Sequence, residues 1–183
     1  RRCKRPIPIT TAAIATRGLA LPQIVAAADA SLPRSPDFLQ SLSAWTVGAV
    51  EGEVDFDLLG LLLSCNYRLC SADTTFVNRT IERGTAPGSG TPWFLARLIG
   101  FAKVKQLYLN GATISASEAQ ELGIVDQVTA ADSLEDDGLA AAERFAAQDR
   151  SALHAMTQAM DLVRLDFNSY IRGAGTGYDR HPR

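Results

Sequence analysis

Two carboxylates, Asp55 and Asp57, stand directly ahead of the apolar run Leu58–Leu63, and that stretch is where chemistry is to be sought first. Thr46–Val50 reads as a short buried strand. EGEVDFD reads as a turn, with Asp57 as the helix cap. The run that follows is apolar all round, so its helix is expected to be buried. A strand that turns sharply into a buried helix aims backbone N–H groups at one spot, which can hold an anion or the oxygen of a reacting carbonyl. The same pattern also serves as the plain central strand–helix unit of an α/β core. Further along, Asn78, Arg79 and Thr80 offer hydrogen bonds, and Glu82 offers a carboxylate. Were that segment extended, Glu82 would share the face of Thr80. Solvated or capping roles are the ordinary use of such residues. Cys3, Cys65, Cys70, His154 and His181 show no metal-ligand spacing. His154 lies beside an apolar helical face and reads as a packed histidine.

Composition sets the frame. The chain has 183 residues, 46% apolar and 21% charged, with net charge −2. This describes one globular domain able to bury a core. The cations are not massed in one run, so nucleic acid is not an expected partner. No apolar run approaches a membrane span, and RRCKRPIPIT lacks the apolar segment of a signal peptide. A cytoplasmic protein with free thiols is expected.

The elements follow in order. Ile7–Ala15 is strand-like, with Pro8 confining it to an edge or a strand start. Arg17–Ala20 is a turn, and a helix is expected from Pro22 through QIVAAADASL. DFLQSLSA is a second short helix. After the central strand and helix come short strands at Arg68–Cys70 and Thr75–Val77. GTAPGSG, Gly84–Gly90, is a loop needing unusual backbone angles. Helices at Trp93–Ile99 and Ala102–Leu109 are broken at Gly100. Ser115–Glu118 is a capping box whose helix stops at Gly123. Ile124–Val128 is a strand, Ser133–Gln148 a helix, and Leu153, Met156, Met160, Val163 and Phe167 give a last amphipathic helix. Strands alternating with helices predict an α/β fold, residues 1–131, with a helical C-terminal part, 132–183, in the same unit.

Gly100–Val128, GFAKVKQLYLNGATISASEAQELGIVDQV, resembles the crotonase (enoyl-CoA hydratase/isomerase) superfamily. Gly100, Ala102, Leu107, Gly111, Ile114, Ala116, Glu118, Ala119, Gly123, Ile124, Val125 and Val128 fall in step with the family pattern. Pro87-Gly88-Ser89-Gly90 is similar to its P-G-x-G loop, and Cys65-Asn66 to its C-D pair. RGLALPQI at 17–24 resembles the first oxyanion loop more weakly. The resemblance implies a crotonase/ClpP-like spiral of ββα units, usually trimeric or hexameric, that binds acyl-CoA or carrier-linked thioesters. Coenzyme A then belongs to the substrate, with no separate cofactor. The thioester oxygen would be held by the N–H groups of Leu19 and Asp57; such donors are worth about 3–4 kcal/mol each in a dry site. Ala20, Phe56, Leu58, Pro87 and Gly88 are the expected substrate contacts. The family carries a longer N-terminal portion, so the chain is expected to be short or incomplete there.

The departures from the family fall in the chemistry. Its glycine triplet is replaced by Phe56-Asp57-Leu58. Its two hydratase glutamates correspond to Gly60 and Thr80, neither of which can exchange a proton near neutral pH. Ordinary hydration is therefore not expected. What remains is enolate stabilisation by the oxyanion hole, as in decarboxylation of a malonyl-type thioester. Thr80 would orient the leaving carboxylate, with Glu82 the nearby acid. The alternative is a non-catalytic acyl-CoA-binding or accessory subunit, or an oligomeric scaffold.

Overall fold

The computed structural model describes residues 45–149 together with 152, 153, 155 and 156, and the backbone of two earlier strands, 12–16 and 23–26. The large sheet has strand order β2-β1-β3-β5-β8 and the small sheet β4-β6-β7. In the large sheet β1 is Ala12–Thr16, β2 Gln23–Ala26, β3 Thr46–Val50, β5 Tyr67–Ser71 and β8 Gln127–Thr129. In the small one β4 is Glu53–Asp55, β6 Thr75–Val77 and β7 Thr113–Ser115. Among the described residues the helices include α1 (Phe56–Leu63), α2 (Thr91–Ile99), α3 (Phe101–Leu109), α4 (Ala116–Glu121) and α5 (Leu134–Ala146).

The chain climbs as a spiral. β3, β4 and α1 form one turn, and β5, β6 and α2 the next. Each turn sends its first strand to the large sheet and its second to the small one, parallel to the strand before. β8 continues the large sheet in parallel, and β7 closes the small one antiparallel. This is the expected α/β spiral.

β3 is buried at all five positions, as a strand covered on both faces must be. Gly48 faces α1, where a Cβ would come within 2.8 Å of Leu62 Cδ1 and 2.9 Å of Cys65 Sγ. Glycine thus lets helix and strand meet closely. On the other face Val47 and Ala49 pack with Leu69 against Leu134 and Ala141. The main core lies between the sheets and α1 to α4, with Val54, Leu59, Phe76, Leu95, Ile114 and Ile124 sealed from solvent. Each such side chain contributes about 1.5–3 kcal/mol.

Gln23–Ala26, expected to be helical, is a strand paired antiparallel with β1. Ile24 and Val25 are β-branched, and the ladder to β1 outweighs the helix signal of Pro22. The strand expected at Ile124–Val128 begins at Gln127; Ile124 and Val125 are core residues just before it. The breaks at Gly100 and Gly123 are found, both with positive φ. The second short helix, DFLQSLSA, and most of the last helix, including His154, lie outside the described residues. Among the described residues no helix is long and apolar enough to cross a membrane, and no group of three His, Cys, Asp or Glu gathers.

Candidate active site at the start of helix α1

Strand β4 buries Val54 and leaves Glu53 and Asp55 toward solvent. Asp55 is thereby placed, in an extended conformation, as the residue that caps α1. Its Oδ1 accepts from the backbone N–H of Asp57 at 3.1 Å and of Leu58 at 3.0 Å. A short acidic side chain satisfying two orphan amides is a favoured helix start. The cap was expected at Asp57 and is instead Asp55, because β4 runs on to Asp55 and α1 begins at Phe56.

Asp57 is the second helical residue and is exposed. Its carboxylate reaches across to the 84–90 loop and accepts the Gly88 N–H at 3.1 Å. Gly88 has no Cβ; one built there would come within 2.6 Å of Asp57 Oδ1. Phe56 points into the core, edge-on to Tyr108 with centroids 5.5 Å apart. Its carbonyl accepts from the Thr91 hydroxyl. Leu58 is half-buried and lines a narrow apolar crevice with Gly48, Ala49, Val50, Leu61, Leu62 and Cys65.

Gly60 lies under the same loop. A side chain there would overlap the Ser89 carbonyl oxygen and the Thr91 hydroxyl, with Ser89 Cβ 2.8 Å from the added carbon. The loop's unusual backbone was anticipated: φ is +61° at Gly84, +51° at Ser89 and +67° at Gly90. Those angles fold it back so that Ser89 seats on the helix.

Thr80 and Glu82 do not share a strand face, because residues 80–84 form a turn. The Thr80 N–H donates to Asn78 Oδ1 at 3.0 Å, and its carbonyl accepts from the Thr85 N–H at 3.0 Å. Glu82 is exposed. Beside the turn, Arg79 grips both oxygens of Glu53, holding that carboxyl below its ordinary range. Arg83 Nη1 stands 3.8 Å from Asp55 Oδ2. Burial pushes the Cys65 thiol up to about 12 and the Cys70 thiol up to about 11, so neither is a nucleophile near neutral pH.

The structure therefore gathers Phe56, Asp57, Leu58 and Gly88, with Pro87 next in the loop, around the start of α1. Thr80 and Glu82 belong to the neighbouring turn. Leu19 and Ala20 lie outside the described residues. Sequence reasoning missed the cap at Asp55 and the seating of Ser89 and Thr91 on Gly60. The alternation Glu53-Val54-Asp55 carried a signal for the first; nothing local to Gly60 signalled the second. As arranged, the Asp57 amide already has an acceptor, and position 60 has no room for an acid or base.

A protein-family model described as enoyl-CoA hydratase/isomerase matches residues 32–166. The chain belongs to that family, within the crotonase superfamily. It is 32% identical over 112 residues to a short-chain-enoyl-CoA hydratase of Clostridioides difficile, covering 61% of this chain and 72% of that protein. It is 32% identical over 127 residues to a probable enoyl-CoA hydratase of Mycobacterium avium, covering 69% of this chain and 49% of that protein. Among solved structures, an enoyl-CoA hydratase subunit from Geobacillus kaustophilus superposes with TM-score 0.66 at 26% identity, over 81% of this chain and 65% of that one. The chain thus spans about half to seven-tenths of these enoyl-CoA hydratase family relatives.

Proposed function

We propose that this family member binds an acyl thioester, carried by coenzyme A or a carrier protein, without hydrating it. The observation behind this reading is the Ser89 carbonyl lying against Gly60, which leaves no space for a water-activating carboxylate there. The Asp57 amide, paired with that of Leu19, is assigned to the thioester oxygen once Asp55 yields it. Coenzyme A enters as part of the ligand and not as a separate cofactor. A homo-oligomer, trimer or hexamer, in the cytoplasm completes the reading.

A second reading, enolate-forming catalysis, is favoured by one feature of Asp55. The carboxylate that covers the Asp57 amide also has Arg83 within 3.8 Å, an alternative partner to which it can turn. With the amide released, loss of carbon dioxide from a malonyl-type thioester would need an oxyanion donor and no base. Thr80 and Glu82 are assigned to the leaving carboxylate's surroundings.

Incubation with crotonyl-, 3-enoyl- and malonyl-CoA, followed by mass spectrometry of the products, separates the two. Saturable binding with every thioester recovered intact supports the first reading. Decarboxylation of malonyl-CoA supports the second, and hydration of crotonyl-CoA contradicts both. If neither coenzyme A nor acyl-CoA raises the melting temperature, thioester binding falls, because a ligand held only by the folded state must raise it.

A further inference from the structure

Between Thr91 and Ala112 the chain has no Asp or Glu, and its three charged residues, Arg97, Lys103 and Lys105, are all positive, in a protein of net charge −2. All three are exposed. They lie on the α2–α3 hairpin, whose corner is set by Gly100 at φ +79°. Val104, Leu107 and Tyr108 turn into the core. Phe101, Lys105 and Leu109 recur every four residues and make a ridge on α3. Phe101 is 72% exposed and Leu109 69%, and Leu98 near the end of α2 is 41% exposed. Single exposed apolar residues are ordinary; here two share a ridge with Lys105 between them, on a hairpin whose other charges, Arg97 and Lys103, are also positive. Arg97 folds back over the Trp93 ring at 3.6 Å, one turn toward the start of α2.

We infer that this hairpin docks an acidic, helical acyl-carrier protein, the inference resting on the thioester reading of the α1 site. Charge is the first argument: a carrier helix rich in Asp and Glu with a few apolar residues complements this ridge. Placement is the second. The Thr91 hydroxyl on the Phe56 carbonyl fixes the start of α2 against the start of α1. Leu98 is seven residues further on, about 10 Å along the helix. A carrier seated there holds its tethered thioester beside α1; a free coenzyme A thioester, whose phosphates also favour cations, has no use for the exposed Phe101 and Leu109. Two other occupants have the same charge logic. One is a second copy of this chain, through its acidic span Glu118–Asp137, which has no Lys or Arg. The other is an anionic membrane.

The test measures binding of butyryl-CoA and of a butyryl-loaded acidic acyl-carrier protein to the wild-type chain, to Lys105→Glu and to Phe101→Ser. The inference expects both variants to bind the loaded carrier about tenfold or more weakly, with wild-type carrier affinity falling as salt rises. Butyryl-CoA affinity stays unchanged, which also shows that the variants fold. It is overturned if both ligands weaken alike or neither weakens. It is also overturned if the variants instead lose self-association in sedimentation or binding to phosphatidylserine vesicles while keeping the carrier. Wild-type protein that binds butyryl-CoA but not the loaded carrier sinks the docking surface alone; protein that binds neither sinks the thioester reading with it.

Discussion

Two glycines in helix interiors should respond to the same substitution with opposite signs. Replacing Gly by Ala within a helix gains about 1 kcal/mol of propensity. At Gly60 the added methyl would overlap the Ser89 carbonyl and the Thr91 hydroxyl and come within 2.8 Å of Ser89 Cβ. Forcing a carbon into a packed site costs about 1–3 kcal/mol. Moving Thr91 off the Phe56 carbonyl loses a buried hydrogen bond, about 1 kcal/mol more. Gly60→Ala is therefore expected to destabilise by about 1–3 kcal/mol, lowering Tm by about 2–10 °C for a chain of this size. At Gly138 in α5 the added methyl meets only Ala49 Cβ at 3.9 Å, an ordinary contact. There propensity wins, and Gly138→Ala should raise Tm by about 2–4 °C. Thermal melts followed by circular dichroism read both. A Gly60→Ala protein that melts at or above wild type would mean that the 88–91 segment is not seated on α1 and that position 60 has room for an acid or base.

Three further outcomes are expected. Asp55→Ala should cost about 1 kcal/mol as a lost cap, read in urea unfolding; it should also strengthen butyryl-CoA binding relative to free coenzyme A, since the Asp57 amide is released. Asp57→Ala removes the acceptor for the Gly88 N–H and should speed tryptic cleavage after Arg83, measured by timed digestion and mass spectrometry, with unchanged rates refuting the clasp. Cys65 and Cys70, with thiols at about 12 and 11, should resist iodoacetamide at pH 8 in the folded protein and react after unfolding. The native state holds those protons more tightly than an unfolded chain, so this source of stability is intact below pH 9 and is lost as pH climbs toward 11–12.

What the sequence revealed and what it hid divide along physical lines. The strand–helix unit at 46–63, the breaks at Gly100 and Gly123 and the looped 84–90 segment were legible because apolar runs and glycines act locally. Gln23–Ala26 was misread as helix because its strand exists through pairing with β1, a partner seven or more residues away. The cap moved from Asp57 to Asp55 because β4 consumes the residues expected to form a turn. The filling of position 60 depends on Ser89 and Thr91, some thirty residues downstream, so no window of sequence could contain it. Thr80 and Glu82 would share a face only in an extended segment and are parts of a turn, since β6 ends at Val77.

Titration of the chain with crotonyl-CoA in a calorimeter shows whether the thioester is bound without being turned over. Binding without hydration predicts a saturable isotherm and a baseline that returns to rest after each injection. A continuing heat signal from turnover, or no binding heat at two well-separated temperatures, would contradict it.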